Sequence, residues 1–436
     1  MPVTVARPRA LRGEIIAPGD KSVSHRAIML NALSHTGTAR ITNFSPGADC
    51  TSTVEIFRAL GVDIAREPGR DGMGDSLAVR GVGLNGLQEP ADVLDAGNSG
   101  TTTRLMSGIL AGRNIVTILT GDDSLKSRPM GRVVDPLRKM GAEITGRAGG
   151  TLAPLVFYGG SLKGTSYQMP VASAQLKSCL LLAGLRADGV TSITQPAESR
   201  DHTERMFSAM GAKLAKNGLE LTLEPSDLET VDIEIPGDIS SAAFWMIAGI
   251  CHPNAELFVR NVGINPTRAG IITLLQQMGA DLELVDQREV AGEPIADVLV
   301  KSSQLKGVEL SGDIVPLLID EIPVIAVAAA LAEGTTTIRD AAELRVKESD
   351  RISASLSWMK GAGIDVTATD DGMVVIGGGS IGGGQFQSYD DHRLAMSLGV
   401  AGLVSDEPIT ILDPDAAGIS YPGFWETVER FGGLVG

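Results

Sequence analysis

The sequence predicts an α/β protein made of six copies of one unit, divided into two lobes of three. Three observations carry that prediction. One pattern recurs six times: an alternating β-type stretch, a polar loop, an amphipathic helix, then Gly and a small residue opening another strand. The copies begin near Gly37, Asn114, Gly189, Asn254, Gly334 and Glu407, roughly 65–80 residues apart, and nearly exhaust the 436 residues. A chain of that length exceeds one typical domain of about 100–200 residues, so more than one lobe is expected. Strands alternating with helices give the α/β class, and the Gly-rich dinucleotide fingerprint is absent.

The elements follow in order within each copy. Thr, Ile and Val alternate before the loop, as in GTARIT from Gly37 and GTTTI from Gly334, which is the pattern of half-buried strands. The helix then carries apolar residues at i, i+3 or i+4: Val54, Phe57 and Leu60 in the first copy, Ile352, Leu356 and Met359 in the fifth. Each such helix stops at Gly, the residue best suited to the position after a helix end. Between copies lie further helices: SVSHRAIMLNALSHTG, TTTRLMSGILAGR, SAQLKSCLLLAGLRADG and ISSAAFWMIAGICHP. The glycine-rich IGGGSIGGGQ, around 377–384, reads as a hairpin turn rather than a phosphate loop.

Composition narrows the function classes. Apolar residues at 43% and charged residues at 21% fit a soluble globular protein with a sizeable core. Aromatics at 4% do not suit base stacking, and a net charge of −16 argues against nucleic acid as a partner. A local cationic pocket within an acidic shell remains compatible with that charge. Cys50, Cys179 and Cys251 are widely spaced, and the five histidines form no HExxH, so reduced thiols and no metal are expected. The start MPVTVARPRALRGE has no apolar h-region, and no apolar run approaches the ~18 residues of a membrane helix. The expectation is a cytoplasmic protein without a membrane partner.

Charged residues gather at helix starts. PGDKSVSHR places Lys21 and Arg26 in the first turns of a helix, where a cation is disfavoured by about 0.3–1 kcal/mol. Free N–H groups, Ser22, Lys21 and Arg26 together make an anion site for phosphate or carboxylate. The Walker A spacing is not met, since the chain reads GDKS. GNSGTTTR is a small-residue loop opening a helix. SLKSRPMGR puts Arg128 before Pro129, where a helix can start; ESRDHTER puts Ser199 and Arg200 ahead of a helix; YDDHRLAM puts Arg393 at another helix start. Taken singly, each of these last four stretches is more often a solvated cap than a site. Their recurrence at equivalent repeat edges points to one cleft. Asp320 lies in the apolar VPLLIDEIPVIAV, and is either an N-cap or a paired or cleft carboxylate. RVKESDR, 345–351, packs five charges into seven residues. Lys347 and Arg351 read there as an i, i+4 pair with Glu348 beside them, and Arg345 and Asp350 read as structural ion-pair residues.

Seven ordered motifs, PGDKSVSHRA, GNSGTTTRL, SLKSRPMGRV, SAQLKS, ESRDHTERM, LRVKESDRI and YDDHRLAM, span essentially the whole chain. In them the sequence resembles the 3-phosphoshikimate 1-carboxyvinyltransferase (EPSP synthase) family. The resemblance implies a two-lobed inside-out α/β barrel, each lobe of three repeated βαβαββ units. It places residues 1–19 plus 239–436 in one lobe and 20–238 in the other, with hinges near 19–20 and 236–241. It implies transfer of the enolpyruvyl group of phosphoenolpyruvate to the 5-hydroxyl of shikimate 3-phosphate, on the route to chorismate and the aromatic amino acids, by a monomer without cofactor.

By matching motifs, the resemblance assigns Lys21, Ser22, Arg26, Ser173, Gln175, Ser199, Arg200, Asp320 and Lys347 to shikimate 3-phosphate. Lys21, Gly100, Arg128, Gln175, Arg351 and Arg393 would hold phosphoenolpyruvate, whose charges suit guanidinium forks. Asp320 is implied as the base near the 5-hydroxyl, Glu348 as the proton donor to carbon, Lys21 as a catalytic cation and Lys347 as a bridging one. The family is the target of the phosphoenolpyruvate mimic glyphosate, and Gly100 leaves room in that pocket.

Three positions depart from the common bacterial pattern: Ala174 for a second Ser, Glu343 for an Asn, and Ile419 for a Lys. The sister family acting on UDP-N-acetylglucosamine commonly carries a loop Cys, which GDDSLKSRPMGR lacks, and its first helix reads KN rather than KS. A nucleic-acid end-processing protein on the related three-unit fold is opposed by the acidic charge and the few aromatics. A non-catalytic phosphate binder is opposed by Asp320 and Glu348.

Overall fold

The structure, a computed structural model, describes residues 1–35, 37–69 and 74–435. Among them the strands form six four-stranded sheets, and the chain divides into two units. The first unit is Met1–Pro18, Gly237–Arg288 and Pro294–Gly436; the second is Gly19–Pro236 with Glu289–Glu293.

One hydrogen-bonding scheme serves all six sheets. Each starts with a parallel pair and continues with an antiparallel neighbour. In the second unit, Ile233–Glu234 runs parallel to Thr38–Phe44, which pairs antiparallel with Asp75–Arg80. In the first unit, Glu309–Leu310 runs parallel to Gly334–Ile338, which pairs antiparallel with Met373–Gly377. The sixth sheet is completed by the start of the chain: Val3–Val5 pairs antiparallel with both Ile409–Ile411 and Leu434–Val435. Mixed sheets alternating with helices confirm the α/β class.

Each sheet is served by an outer helix and an inner one. The outer helices are Ala48–Ala59, Gly131–Lys139, His202–Ala209, Gly270–Gln277, Arg351–Gly361 and Phe424–Arg430. Two residues beyond each end stands a glycine with left-handed backbone: Gly61, Gly141, Gly211, Gly279, Gly363 and Gly432, at φ between 75° and 100°. A side chain at that φ would be strained, which is why the expected helix stops fall on glycine. The inner helices are almost wholly buried: Lys21–Leu33, Gly100–Leu110 and Ala174–Gly184 in the second unit, and Ile239–Cys251, Ile322–Leu331 and His392–Val404 in the first. Each unit has its own apolar core around its three inner helices.

Two sequence expectations need correction. IGGGSIGGGQ is not a hairpin turn. Met373–Gly377 belongs to one sheet and Gly384–Phe386 to another, so the glycines carry the chain between sheets. Gly377 is required there, because a Cβ would lie 2.2 Å from the Ala329 carbonyl oxygen and 2.3 Å from that of Ala332. The expectation that no apolar run reaches membrane length also fails by length and composition. The consecutive helical segments over Gly312–Leu331 span 20 residues, and 67% of their apolar window is buried inside the protein.

Candidate active site

The predicted site residues fall in the first two turns of inner and outer helices or in the segments just before them. These are positive helix ends with unpaired N–H groups, suited to anions. In the second unit, Asp20 caps the helix Lys21–Leu33, its carboxylate accepting the Val23 N–H at 2.9 Å. That anion offsets the cost of cations at this end. Lys21 is half-exposed, with Nζ 3.1 Å from the Asp49 carboxylate. Arg26 is buried and donates to Thr203 Oγ1 at 2.7 Å, the Ser22 carbonyl at 2.9 Å and Ser178 Oγ at 2.9 Å. Burial lowers its pKa to about 10, so it stays cationic at neutral pH.

Gly100 opens the helix Gly100–Leu110 behind Ser99, whose hydroxyl accepts the Thr102 N–H at 3.1 Å. A Cβ on Gly100 would lie 3.2 Å from Arg104 Nη1 and 3.5 Å from Arg128 Nη1, so its absence lets two guanidiniums approach the helix start. Arg128 donates to the Asn98 carbonyl at 3.1 Å, to Asn98 Oδ1, and to Ser124 Oγ at 3.2 Å. The helix expected to begin at Pro129 begins instead at Gly131. Arg128 is the C-cap of the short helix Asp123–Ser127, a geometry that Pro129 favours by keeping its predecessor extended. Ser173 caps the third inner helix, accepting the Leu176 N–H at 3.4 Å. Gln175 accepts from Arg104 Nη1 at 2.6 Å and donates to Thr101 Oγ1 at 3.1 Å. Ser199 donates to Gln195 Oε1 at 2.7 Å, and its carbonyl accepts from the fully buried Lys177 at 3.1 Å. Arg200 is half-buried just before the helix His202–Ala209.

In the first unit the carboxylate–cation cluster is tight. Asp320 sits in the 3-10 turn Ile319–Glu321, and the N-cap of the next helix is Glu321 rather than Asp320. The Asp320 carboxylate lies 3.7 Å from Lys347 Nζ, 3.6 Å from Arg351 Nη1 and 4.0 Å from Arg393 Nη2. It is therefore a paired carboxylate facing three cations. Lys347 and Arg351 are not an i, i+4 pair on one helix. Lys347 is extended and ends the 3-10 segment Ala342–Val346, while the helix starts at Arg351 behind Asp350. Both cations reach Asp320 all the same. Arg345 and Asp350 do pair, at 3.1 Å. Glu343, one of the departures, holds Lys347 Nζ at 2.6 Å; Ile419, another, is 61% exposed.

Arg351 is 1% exposed. Its Nε donates to Asp391 at 2.8 Å and its Nη2 to Glu348 at 2.6 Å, whereas buried Nη1 has no hydrogen-bond partner among the described residues. A buried cationic N–H without a partner is expensive unless a ligand supplies one. For Asp391, burial opposes the charge, but the Arg351 guanidinium keeps the pKa below the carboxylate range. Glu348 is likewise lowered: burial, the largest influence, raises it, and Arg351 together with its own backbone N–H and His392 outweighs that. For Arg393, burial works against the charge and Asp320 and Glu321 outweigh it, raising the pKa.

Sequence reasoning passed over Arg104, the last letter of the quoted GNSGTTTR, although it binds Gln175 beside Gly100. Burial first, then Arg132 and Arg128, lowers its pKa to about 10. It also passed over Asp391, although YDDHR contains it; the signal available was a carboxylate next to a predicted site arginine.

The sequence model of the family described as EPSP synthase (3-phosphoshikimate 1-carboxyvinyltransferase) matches residues 5–428. The protein of that enzyme name from Pelobacter propionicus is 51% identical over 430 residues, 98% of each chain. That from a Synechococcus strain is 54% identical over 432 residues, 98% of this chain and 96% of its own. The solved EPSP synthase from Acinetobacter baumannii superimposes with a TM-score of 0.93 at 44% identity, covering 100% of this chain and 98% of that one. The enolpyruvyl transferase NikO from Streptomyces tendae, 19% identical with a TM-score of 0.78, covers 100% of this chain and 99% of its own and shares the fold. Motifs, geometry and relatives converge: the chain belongs to the EPSP synthase family.

Proposed function

We infer that the chain transfers the enolpyruvyl group of phosphoenolpyruvate to the 5-hydroxyl of shikimate 3-phosphate, giving 5-enolpyruvylshikimate 3-phosphate and phosphate, as its family does. The observation that carries the site is Arg351: a buried guanidinium whose Nη1 makes no hydrogen bond among the described residues and lies 3.6 Å from the Asp320 carboxylate. Phosphoenolpyruvate is held by Lys21, Gly100, Arg128, Gln175, Arg351 and Arg393. Shikimate 3-phosphate is held by Lys21, Ser22, Arg26, Ser173, Gln175, Ser199, Arg200, Asp320 and Lys347. Arg26 offers only the N–H hydrogens that its internal bonds leave over.

In the addition, Asp320 takes the 5-hydroxyl proton as the oxygen attacks C2 of phosphoenolpyruvate, and Glu348 protonates the methylene carbon. In the elimination, a site carboxylate takes a proton from that methyl carbon, the C2–O bond to phosphate breaks with its electron pair on the departing phosphate, and the double bond returns. Lys347 and Lys21 compensate the charge that builds on the oxygens. Glu348 begins as a carboxylate paired with Arg351, so it must gain a proton first. An anion that draws Arg351 away favours this by removing the charge that holds the pKa down. The chemistry needs no metal or redox cofactor.

The two lobes, 1–19 with 239–436 and 20–238, act as inside-out α/β barrels of three repeated units, joined by hinges near 19–20 and 236–241. The protein works as a cytoplasmic monomer without nucleic acid or membrane partners. Phosphate release with phosphoenolpyruvate and shikimate 3-phosphate tests the reading: turnover is expected, and is abolished in Arg351→Ala without loss of fold. Equal release with UDP-N-acetylglucosamine as acceptor, or none with shikimate 3-phosphate, overturns it.

A further inference from the structure

Tyr389 and Asp390 are consecutive non-glycine residues with left-handed backbone, at φ 57° and 55°. Such a conformation persists in a residue with a Cβ only where its surroundings hold it. Here the holder is one carboxylate. The parallel strands Gly384–Phe386 and Ile409–Ile411 end side by side with Phe386 opposite Ile411, which puts Ser388 level with Asp413. Asp413 Oδ1 accepts the Ser388 N–H at 2.5 Å and Oδ2 accepts the Asp390 N–H at 3.1 Å. Ser388 Oγ donates to the Asp413 carbonyl at 3.1 Å, and the Ser388 carbonyl accepts the Asp391 N–H at 3.0 Å. The turn so fixed delivers Asp391, fully buried, to Arg351: Nε to Oδ2 at 2.8 Å and Nη2 to Oδ1 at 3.3 Å. Asp391 also accepts the Arg393 N–H at 2.9 Å, starting the helix that carries Arg393.

We propose that Asp413 is a positioning residue for phosphoenolpyruvate. Its carboxylate clamps the Tyr389–Asp390 turn, the turn sets Asp391, and Asp391 aims the Nη1 edge of Arg351, which makes no hydrogen bond among the described residues. The proposal rests on Arg351 being a phosphoenolpyruvate ligand. Asp413 touches no reacting atom in this scheme. Its weight comes from geometry, because small misplacements of a binding group are amplified in affinity and rate.

Asp413→Asn is the sharpest probe. The amide keeps the shape and one accepting oxygen, but sets an NH2 group against the second backbone N–H. The expected result is a KM for phosphoenolpyruvate raised roughly tenfold or more, with the KM for shikimate 3-phosphate and the melting temperature close to the parent protein. Adding Asp390→Gly, which accepts left-handed backbone without a clamp, should recover part of the lost affinity. A purely structural Asp413 predicts instead that both KM values and the melting temperature worsen together and that Asp390→Gly gives no recovery; that result overturns the proposal. Arg351→Lys, measured beside it, separates the two layers. If Arg351→Lys weakens phosphoenolpyruvate and Asp413→Asn does not, the positioning role fails alone. If Arg351→Lys leaves phosphoenolpyruvate affinity intact, the ligand reading fails and the proposal with it.

Discussion

At the scale of single residues, the site is a set of charges held against their own desolvation. His392 shows this most clearly. It is 9% exposed, between Asp391 and Arg393, and burial first, then the Arg393 charge, brings its pKa down to about 4. In the unfolded chain the same imidazole titrates near about 6.5. Between those values the unfolded state holds a proton that the folded state does not, so stability falls as the pH drops from about 6.5 toward about 4. The largest effect of the single group is on the order of 3 kcal/mol. Asp391 acts in a separate window: its lowered pKa makes a stabilising contribution that is lost only below the ordinary carboxylate range. His25 and His252 are also lowered, chiefly by burial, and add to the same acid limb as His392. His392→Gln should therefore flatten, without abolishing, the dependence of unfolding free energy on pH between about 6.5 and 4.5. Urea titrations at several pH values measure it, and identical slopes for parent and variant would show that His392 is not buried in its neutral form.

At the scale of elements, close helix packing in the second unit depends on a glycine. Gly108 lies in the helix Gly100–Leu110, and a Cβ there would meet the Cys179 carbonyl oxygen of the helix Ala174–Gly184 at 2.1 Å. The obstacle is backbone, so no side chain can swing aside. Gly108→Ala gains about 1 kcal/mol in helix propensity, but it forces the two helices apart in a packed core. Overpacking of that kind typically costs about 1–3 kcal/mol, and a contact this short belongs at or above the top of that range. Net destabilisation of the second unit is expected, read as unfolding that begins at lower denaturant; an unchanged midpoint would mean that the helices separate freely. The elements themselves were legible in sequence where the signal is local. Periodic apolar residues marked the outer helices and glycines marked their ends, because both signals sit within one turn of the feature. Asp350 reads from sequence as a structural ion-pair residue, and it also caps the helix at Arg351, accepting the Ser353 N–H at 3.0 Å. What was not legible depends on distant pairing. Nothing local in IGGGSIGGGQ shows that its two ends belong to different sheets, or that Val3–Val5 completes the last sheet. The left-handed pair Tyr389–Asp390 is hidden for the same reason, since its clamp, Asp413, lies just beyond another strand, Ile409–Ile411. The i, i+4 spacing of Lys347 and Arg351 reads the same whether the helix starts at 347 or 351, so it does not reveal that Lys347 lies outside the helix.

At the scale of the molecule, the chain carries two apolar cores with no buried residue in common. One is drawn from residues 23–235 and the other from residues 5–17 and 239–428. Each has its own three inner helices and three sheets, so each unit holds what a cooperative folding unit needs. The parent protein can still melt in one peak if the two units have similar midpoints. Weakening one core alone removes that coincidence. Gly108→Ala touches only the second unit, and a loss of 1 kcal/mol in a unit of this size shifts its midpoint by roughly 2–4 °C. Calorimetry of Gly108→Ala should then show a low-temperature component displaced by at least that amount, with the remaining component at the parental temperature. The calorimetric enthalpy should exceed the van't Hoff value, the mark of more than one transition. The assignment is checked by shikimate 3-phosphate, whose proposed ligands lie mainly in the second unit. Its addition should raise the displaced component more than the other, because a ligand stabilises the state that binds it. A single peak that moves as a whole, with the two enthalpies equal, would show instead that the units unfold as one.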